Sequence, residues 1–288
     1  MRLLRPAAGL ALVFGAVIAP DVRVEAAPTP APTSGVNDYG CQPSAAHPNP
    51  VVLLHGLGAP AYEHMSYLGE YLADRGWCAF YETYGQGSPL FLNGGLRPIA
   101  QSAQEVADHI DDVLAATGAD EVDLVGHSEG GFLSLYIPKV LDYGDRVHRV
   151  FALAPPTHGT TYAGVYGLAD AMGIRAQVDL VALLFGCGAC TDMVIGGPAV
   201  QTLNTGPVAV PGVEYTIRAS RFDALVTPTS TAFVDEPGVD NGYVQDECPL
   251  DPVGHLGLAT DPSVAQILVN ALDPANATPV QCSVGLPV

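Results

Sequence analysis

The sequence predicts an α/β fold: a mostly parallel sheet with helices on both faces and a lid-like insertion. Three observations carry this expectation. Short, wholly apolar runs such as Val51-Val52-Leu53-Leu54 alternate with helical patterns, and strands that are apolar on both faces belong in a parallel sheet sandwiched between helices. Two of these runs end in glycine-rich turns, His55-Gly56-Leu57-Gly58 and Gly126-His127-Ser128-Glu129-Gly130. The alternation breaks once, over residues 159–211, in a Gly- and Ala-rich stretch.

Taken in order, the first core strand is residues 51–54. Tyr67, Leu68, Tyr71 and Leu72 mark a helix over residues 62–74 that Gly76 stops, and a strand follows at 77–81. Ile99, Val106, Ile110, Val113 and Leu114 recur at helical spacing and predict an amphipathic helix over 99–116. Residues 121–125 form the next strand, 129–141 a helix and 147–153 a further strand. Within the insertion, residues 163–174 and 178–185 are apolar on most faces. Strands return at 213–219 and near Val244, and the last helix falls at 262–272. No internal repeat or second domain is evident, so residues 41–288 form a single domain.

Composition narrows the function. The 288 residues are 48% hydrophobic, enough for a sizeable core, and 30 acidic against 11 basic residues give a net charge of −19. Lys139 is the only lysine. Phosphate binding needs clustered Lys and Arg, so nucleic acid and anionic membrane surfaces are excluded as partners. Arg2 and Arg5, the apolar run from Ala7 to Ala19 and the small residues around Ala26 predict a signal peptide over residues 1–26. That run falls short of the ~20 residues of a membrane span, so no integral span is expected and the protein is expected to be secreted. Residues 27–40 read as a flexible, Pro- and Thr-rich leader.

An even number of cysteines in an exported chain favours disulfides. Order along the chain suggests Cys41–Cys78, Cys187–Cys190 and Cys248–Cys282, although the count admits other pairings. A redox role for Cys187-Gly-Ala-Cys190 lacks a preceding thioredoxin-like strand.

The GHSEG turn stands directly after one strand and directly before a helix, which is the setting of a nucleophile elbow. Ser128 would occupy a strained turn that exposes its hydroxyl. Gly126 and Gly130 would let strand and helix approach, and the helix N-terminus would offer amides to developing negative charge. The His55–Gly58 turn would add the Leu57 amide to that of Glu129 as an oxyanion hole, each such donor contributing about 3 kcal/mol to the transition state. A serine needs a histidine base and an orienting acid. Of the eight histidines, His47, His55, His64 and His109 precede the elbow, and His148 and His158 precede any suitable acid. His255, in a Gly-flanked loop, is the expected base. Asp223, just after the strand at 213–219, is the expected acid, with Asp235, Asp240 and Asp246 as rivals in solvated loops.

The ordered set HGLG, GHSEGG, FDALVTP and GHLGLATD resembles the class 2 family of secreted bacterial lipases and, more distantly, a yeast lipase, over roughly residues 41–285. The resemblance implies an α/β-hydrolase fold acting on carboxylic esters, with Ser128, Asp223 and His255 as triad and Leu57 and Glu129 as oxyanion donors. It also supports Cys41–Cys78 and Cys248–Cys282. Such lipases often carry Gln after the serine. A carboxylate aimed at the oxyanion would oppose the reaction, so the Glu129 side chain is expected to turn away into a hydrogen bond.

The expectation is therefore a secreted lipase that cleaves acylglycerols through an acyl-enzyme, at a lipid–water interface against which the insertion opens. A short-chain or polyester esterase, or an acyltransferase, would use the same triad. No metal or organic cofactor is expected, and the protein is expected to be a monomer.

Overall fold

The computed structural model describes residues 35–87 and 93–288. The expected signal peptide, residues 1–26, and residues 27–34 of the expected leader lie outside the described residues.

Among the described residues, seven strands form one sheet. In chain order they are β1 (Gly35–Val36), β2 (Val51–Leu54), β3 (Cys78–Phe80), β4 (Val122–His127), β5 (Val147–Leu153), β6 (Glu214–Ala219) and β7 (Val239–Tyr243). Their spatial order is β1-β3-β2-β4-β5-β6-β7, and every neighbouring pair is parallel. β1 falls inside the segment read as a flexible leader. Its pairing with β3, a hydrogen bond from the Tyr81 amide to the Asn37 side chain at 2.8 Å and the Cys41–Cys78 disulfide tie residues 35–41 to the sheet edge.

Helices cover both faces, and β2 shows why its run is apolar throughout. Val52 and Leu54 face one core, shared with helices α2 (Ile99–Thr117) and α3 (Glu129–Val140). Val51 and Leu53 face the other, shared with helix α1 (Ala61–Ala73) and the last helix, Pro262–Leu272. A strand alternates its side chains between faces, so covering both demands an unbroken apolar run. α3 runs down the centre and is buried from Glu129 to Pro138, which explains its lack of a polar face. Among the described residues, no helix is long and apolar enough to cross a membrane.

Between β5 and β6 the chain forms α4 (Val165–Ala171), α5 (Arg175–Leu184), α6 (Gly188–Asp192) and α7 (Pro198–Leu203). α6 and α7 pack into the core through Ala189, Ala199, Val200 and Leu203. α5 buries none of its residues. Three disulfides are present, Cys41–Cys78, Cys187–Cys190 and Cys248–Cys282.

Because the strands are parallel, their C-terminal ends lie along one edge of the sheet. Register places Leu54 opposite Gly126 and His127 opposite Leu153. The loops after β2, β4, β5 and β6 therefore converge, which is where parallel α/β sheets build their sites.

Candidate active site

Ser128 links β4 to α3 with φ 57° and ψ −117°, a strained conformation for a residue bearing a side chain. The flanking glycines are sterically required. A Cβ on Gly126 would stand 2.1 Å from the Gly130 carbonyl oxygen, and one on Gly130 would stand 2.2 Å from that of Leu54. Strand and helix touch backbone to backbone, and the serine stands at the crest of the turn between them.

Asp223 lies after β6, in the segment Ser220–Asp223 that leads into residues 224–228. Its Oδ1 accepts hydrogen bonds from the Leu225 and Val226 amides at 2.8 and 2.9 Å. Its Oδ2 accepts from His255 Nδ1–H at 2.6 Å, with both side chains buried. The rivals stand apart. Asp240 pairs with Arg218 and Asp246 with Arg221 at the surface, and Asp235 is exposed.

His255 opens a short 3-10 turn, Leu256–Thr260. Its carbonyl accepts from His127 Nε2–H at 2.9 Å. The loop is braced from outside: Gly254 donates to the Leu286 carbonyl at 2.8 Å and Gly257 to that of Val288 at 3.0 Å. A Cβ on Gly257 would come within 2.4 Å of the Leu286 oxygen, so the close approach of segment 285–288 requires glycine there.

Ser128, His255, Leu57 and His64 line one cleft of about 220 Å³, with Tyr162, Met193, Leu225, Val226 and Leu256 supplying apolar wall. Among the described residues no hydrogen bond joins the Ser128 hydroxyl to His255, a kind of contact that in ligand-free sites often tightens only with substrate bound. Among the described residues, the amides of Leu57 and Glu129 donate no hydrogen bond. Gly58 donates to the Gly94 carbonyl at 3.0 Å, which ties the Leu57 turn to residues 94 and 95.

The Glu129 side chain departs from expectation. It is fully buried and neither carboxylate oxygen has a partner among the described residues, so it does not turn into a hydrogen bond. Oε2 packs against Gly95, where a Cβ would come within 2.5 Å of it and 3.2 Å of Leu57 Cα. Burial, followed by the nearby charge of Asp192, pushes the Glu129 carboxyl well above the usual carboxylate range. Burial thus favours the neutral form of this carboxyl over the carboxylate. The Tyr162 hydroxyl is likewise buried without a partner and pushed up by burial and then by Glu129.

Two neutral histidines, unassigned by sequence reasoning, flank this turn. His55 stacks on Tyr84 with ring centroids 4.0 Å apart, donates from Nδ1 to the Gly56 carbonyl at 2.8 Å and accepts the Tyr84 amide at Nε2. His64, in the first turn of α1, accepts the Gly56 amide at Nδ1 at 3.0 Å. Burial lowers both imidazoles to about 4. The only sequence signal for His64 was its nearness to the HGLG turn.

The insertion is tied to this site at its stem. Thr160 Oγ1 donates to the Leu225 carbonyl at 2.7 Å, and the hydroxyls of Thr161 and Thr227 lie 2.7 Å apart. Beyond the stem, α4 and α5 expose Val165, Leu168, Met172, Leu180, Val181 and Leu184. Leu184 and Phe185 are 76% and 82% exposed.

Residues 51–280 match the alpha/beta hydrolase family. Among solved structures, the chain is similar to Aspergillus fumigatus lipase B, with 19% identity and a TM-score of 0.61 over 81% of this chain and 54% of that one. It thus spans about half the length of that lipase. Bacillus licheniformis lipase BlEst2 in its mature form matches at 17% identity and a TM-score of 0.50, over 73% of this chain and 86% of that one. A structure reported for the metagenome-derived lipolytic enzymes LipS and LipT matches at 15% identity and a TM-score of 0.54, over 77% and 91%. At these identities the likeness concerns the fold.

Proposed function

The chain belongs to the alpha/beta hydrolase family, and from that premise we propose that it is a secreted serine hydrolase of carboxylic esters, a lipase of the class 2 bacterial type. The observation that carries the reading is the 2.6 Å contact between His255 Nδ1 and Asp223 Oδ2, beside a cleft that a strained, half-buried Ser128 lines. The lipases among the similar structures point the same way.

In this reading His255 Nε2 takes the Ser128 proton as the hydroxyl attacks the ester carbonyl. Asp223 holds the imidazole in the Nδ1–H form and stabilises the imidazolium. The unpaired amides of Leu57 and Glu129 receive the oxyanion. His255 passes the proton to the departing alcohol, and water repeats the sequence on the acyl-enzyme. The upward shift of the Glu129 carboxyl matters here, because a carboxylate beneath the Leu57 turn would oppose the oxyanion.

The substrate we propose is an acylglycerol met at a lipid–water interface. The exposed apolar side chains of α4 and α5, on an arm rooted beside the cleft, support that choice, since such surface gains about 25 cal/mol per Å² on leaving water. Three disulfides suit export, with residues 1–26 as signal peptide and a monomer as the working form.

The test is hydrolysis of p-nitrophenyl esters from C2 to C16 by the parent and Ser128→Ala. Ser128-dependent turnover with an optimum at C10 or above supports a lipase. A steep fall beyond C4 makes it a short-chain or polyester esterase, and acyl transfer to added alcohol in preference to water makes it an acyltransferase. No Ser128-dependent turnover rejects the reading.

A further inference from the structure

Gly56 is held at both of its polar groups. Its carbonyl accepts from His55 Nδ1–H and its amide donates to His64 Nδ1. The Gly56 carbonyl and the Leu57 N–H belong to one planar trans peptide, so holding the first aims the second. Yet a hold on the carbonyl alone leaves the residue free to pivot about its own φ and ψ. Glycine resists that least, and Gly58, at φ +71°, follows one residue later. The hold on the Gly56 amide removes the remaining freedom.

The two rings carry opposite tautomers. His55 must bear its proton on Nδ1, facing a carbonyl. His64 must keep Nδ1 bare, facing an N–H, and bear its proton on Nε2. Space allows no substitute within the turn. A Cβ on Gly56 would stand 2.9 Å from His64 Cε1, 3.3 Å from Ser128 Cβ and 3.4 Å from His127 Nδ1. His64 therefore lies against the same point as the nucleophile's own Cβ, and it lines the cleft instead of the core.

Resting on the serine-hydrolase reading above, we propose that His64 is a positioning residue for acyl transfer: its Nδ1 lone pair holds the Gly56 amide and thereby aims the Leu57 N–H at the oxyanion. A misaimed donor weakens the transition state while leaving ground-state ester binding nearly untouched, so the effect falls on kcat.

The experiment compares His64→Asn, whose side-chain oxygen can accept where Nδ1 does, with His64→Leu and His64→Ala, which cannot. Kinetics on p-nitrophenyl butyrate are read beside melting temperature, and active sites are counted with diethyl p-nitrophenyl phosphate. H64L and H64A should lose about 10- to 100-fold in kcat with KM changed less than about threefold. H64N should recover to within about fivefold of the parent. If one apolar variant fails to fold, the other carries the comparison. The proposal is overturned if the apolar variants keep kcat within about threefold, or if H64N is as impaired as they are. A parent without Ser128-dependent turnover would instead overturn the hydrolase reading.

Discussion

Asp223 divides its carboxylate between two tasks: Oδ2 takes His255 Nδ1–H at 2.6 Å, while Oδ1 is anchored by the amides of Leu225 and Val226. The anchoring amides leave Oδ2 as the end available to the imidazole. Asp223→Asn should keep that anchor through the amide oxygen and present an N–H₂ to the histidine, forcing the wrong tautomer. The expected loss is about 10⁴-fold in kcat, with a melting temperature within a few degrees of the parent. Steady-state kinetics and differential scanning calorimetry check both halves.

Glu129 sets a pH dependence of stability. Burial raises its folded-state pKa, so the folded protein holds a proton that the unfolded chain releases from about pH 4.5 upward. This group therefore costs stability progressively as pH rises above that value. Glu129→Gln removes the linkage. The variant should melt several degrees above the parent at pH 8, with the gap closing by pH 4, and its kcat at neutral pH should change by less than about tenfold. A melting series from pH 4 to 9 measures this.

Gly130→Ala should be severe. The new methyl would be driven into the backbone of β2, 2.2 Å from the Leu54 oxygen, in a core where neither element can yield. A loss of more than about 4 kcal/mol is expected, seen in denaturant unfolding or as failure to accumulate folded protein.

The exposed arm separates stability from interfacial action. Leu184→Ser with Phe185→Ser removes side chains that pack on little, so melting should stay within about 2 °C of the parent. Turnover of soluble p-nitrophenyl butyrate should also hold, while the rate on emulsified triglyceride should fall about tenfold or more. Parallel assays on the two substrates check it.

These expectations trace unevenly to the sequence. β2 was legible because both of its faces are buried and a run apolar at every position has few other uses, while β4 and β5 keep apolar clusters beside Asp123 and beyond His148 and Arg149. The elbow was legible because its glycines answer a steric demand that the structure displays at 2.1 and 2.2 Å. His255 and Asp223 emerged from chain order, and the structure brings them together. β7 reads Val-Asp-Asn-Gly-Tyr and is an edge strand held by its ladder to β6, so no apolar run announces it; the strand expected near Val244 ends one residue before it. β1 escaped because two residues pairing with a neighbour leave no periodicity.

The site's finer parts were illegible for a related reason. His64 acts through one ring nitrogen on a backbone amide, and no side-chain pattern encodes a backbone partner. Glu129 was expected to find a hydrogen bond because a buried carboxylate needs one. The burial that denies it a partner also raises its pKa, and a neutral carboxyl has less need of one.

Covalent labelling with diethyl p-nitrophenyl phosphate, which a serine activated by a neighbouring base attacks, tests whether Ser128 is the nucleophile. One diethylphosphoryl group per chain is expected, on Ser128, with esterase activity falling in proportion and labelling slowed by orders of magnitude in His255→Ala. Label on another residue, or full activity with Ser128 modified, would contradict it.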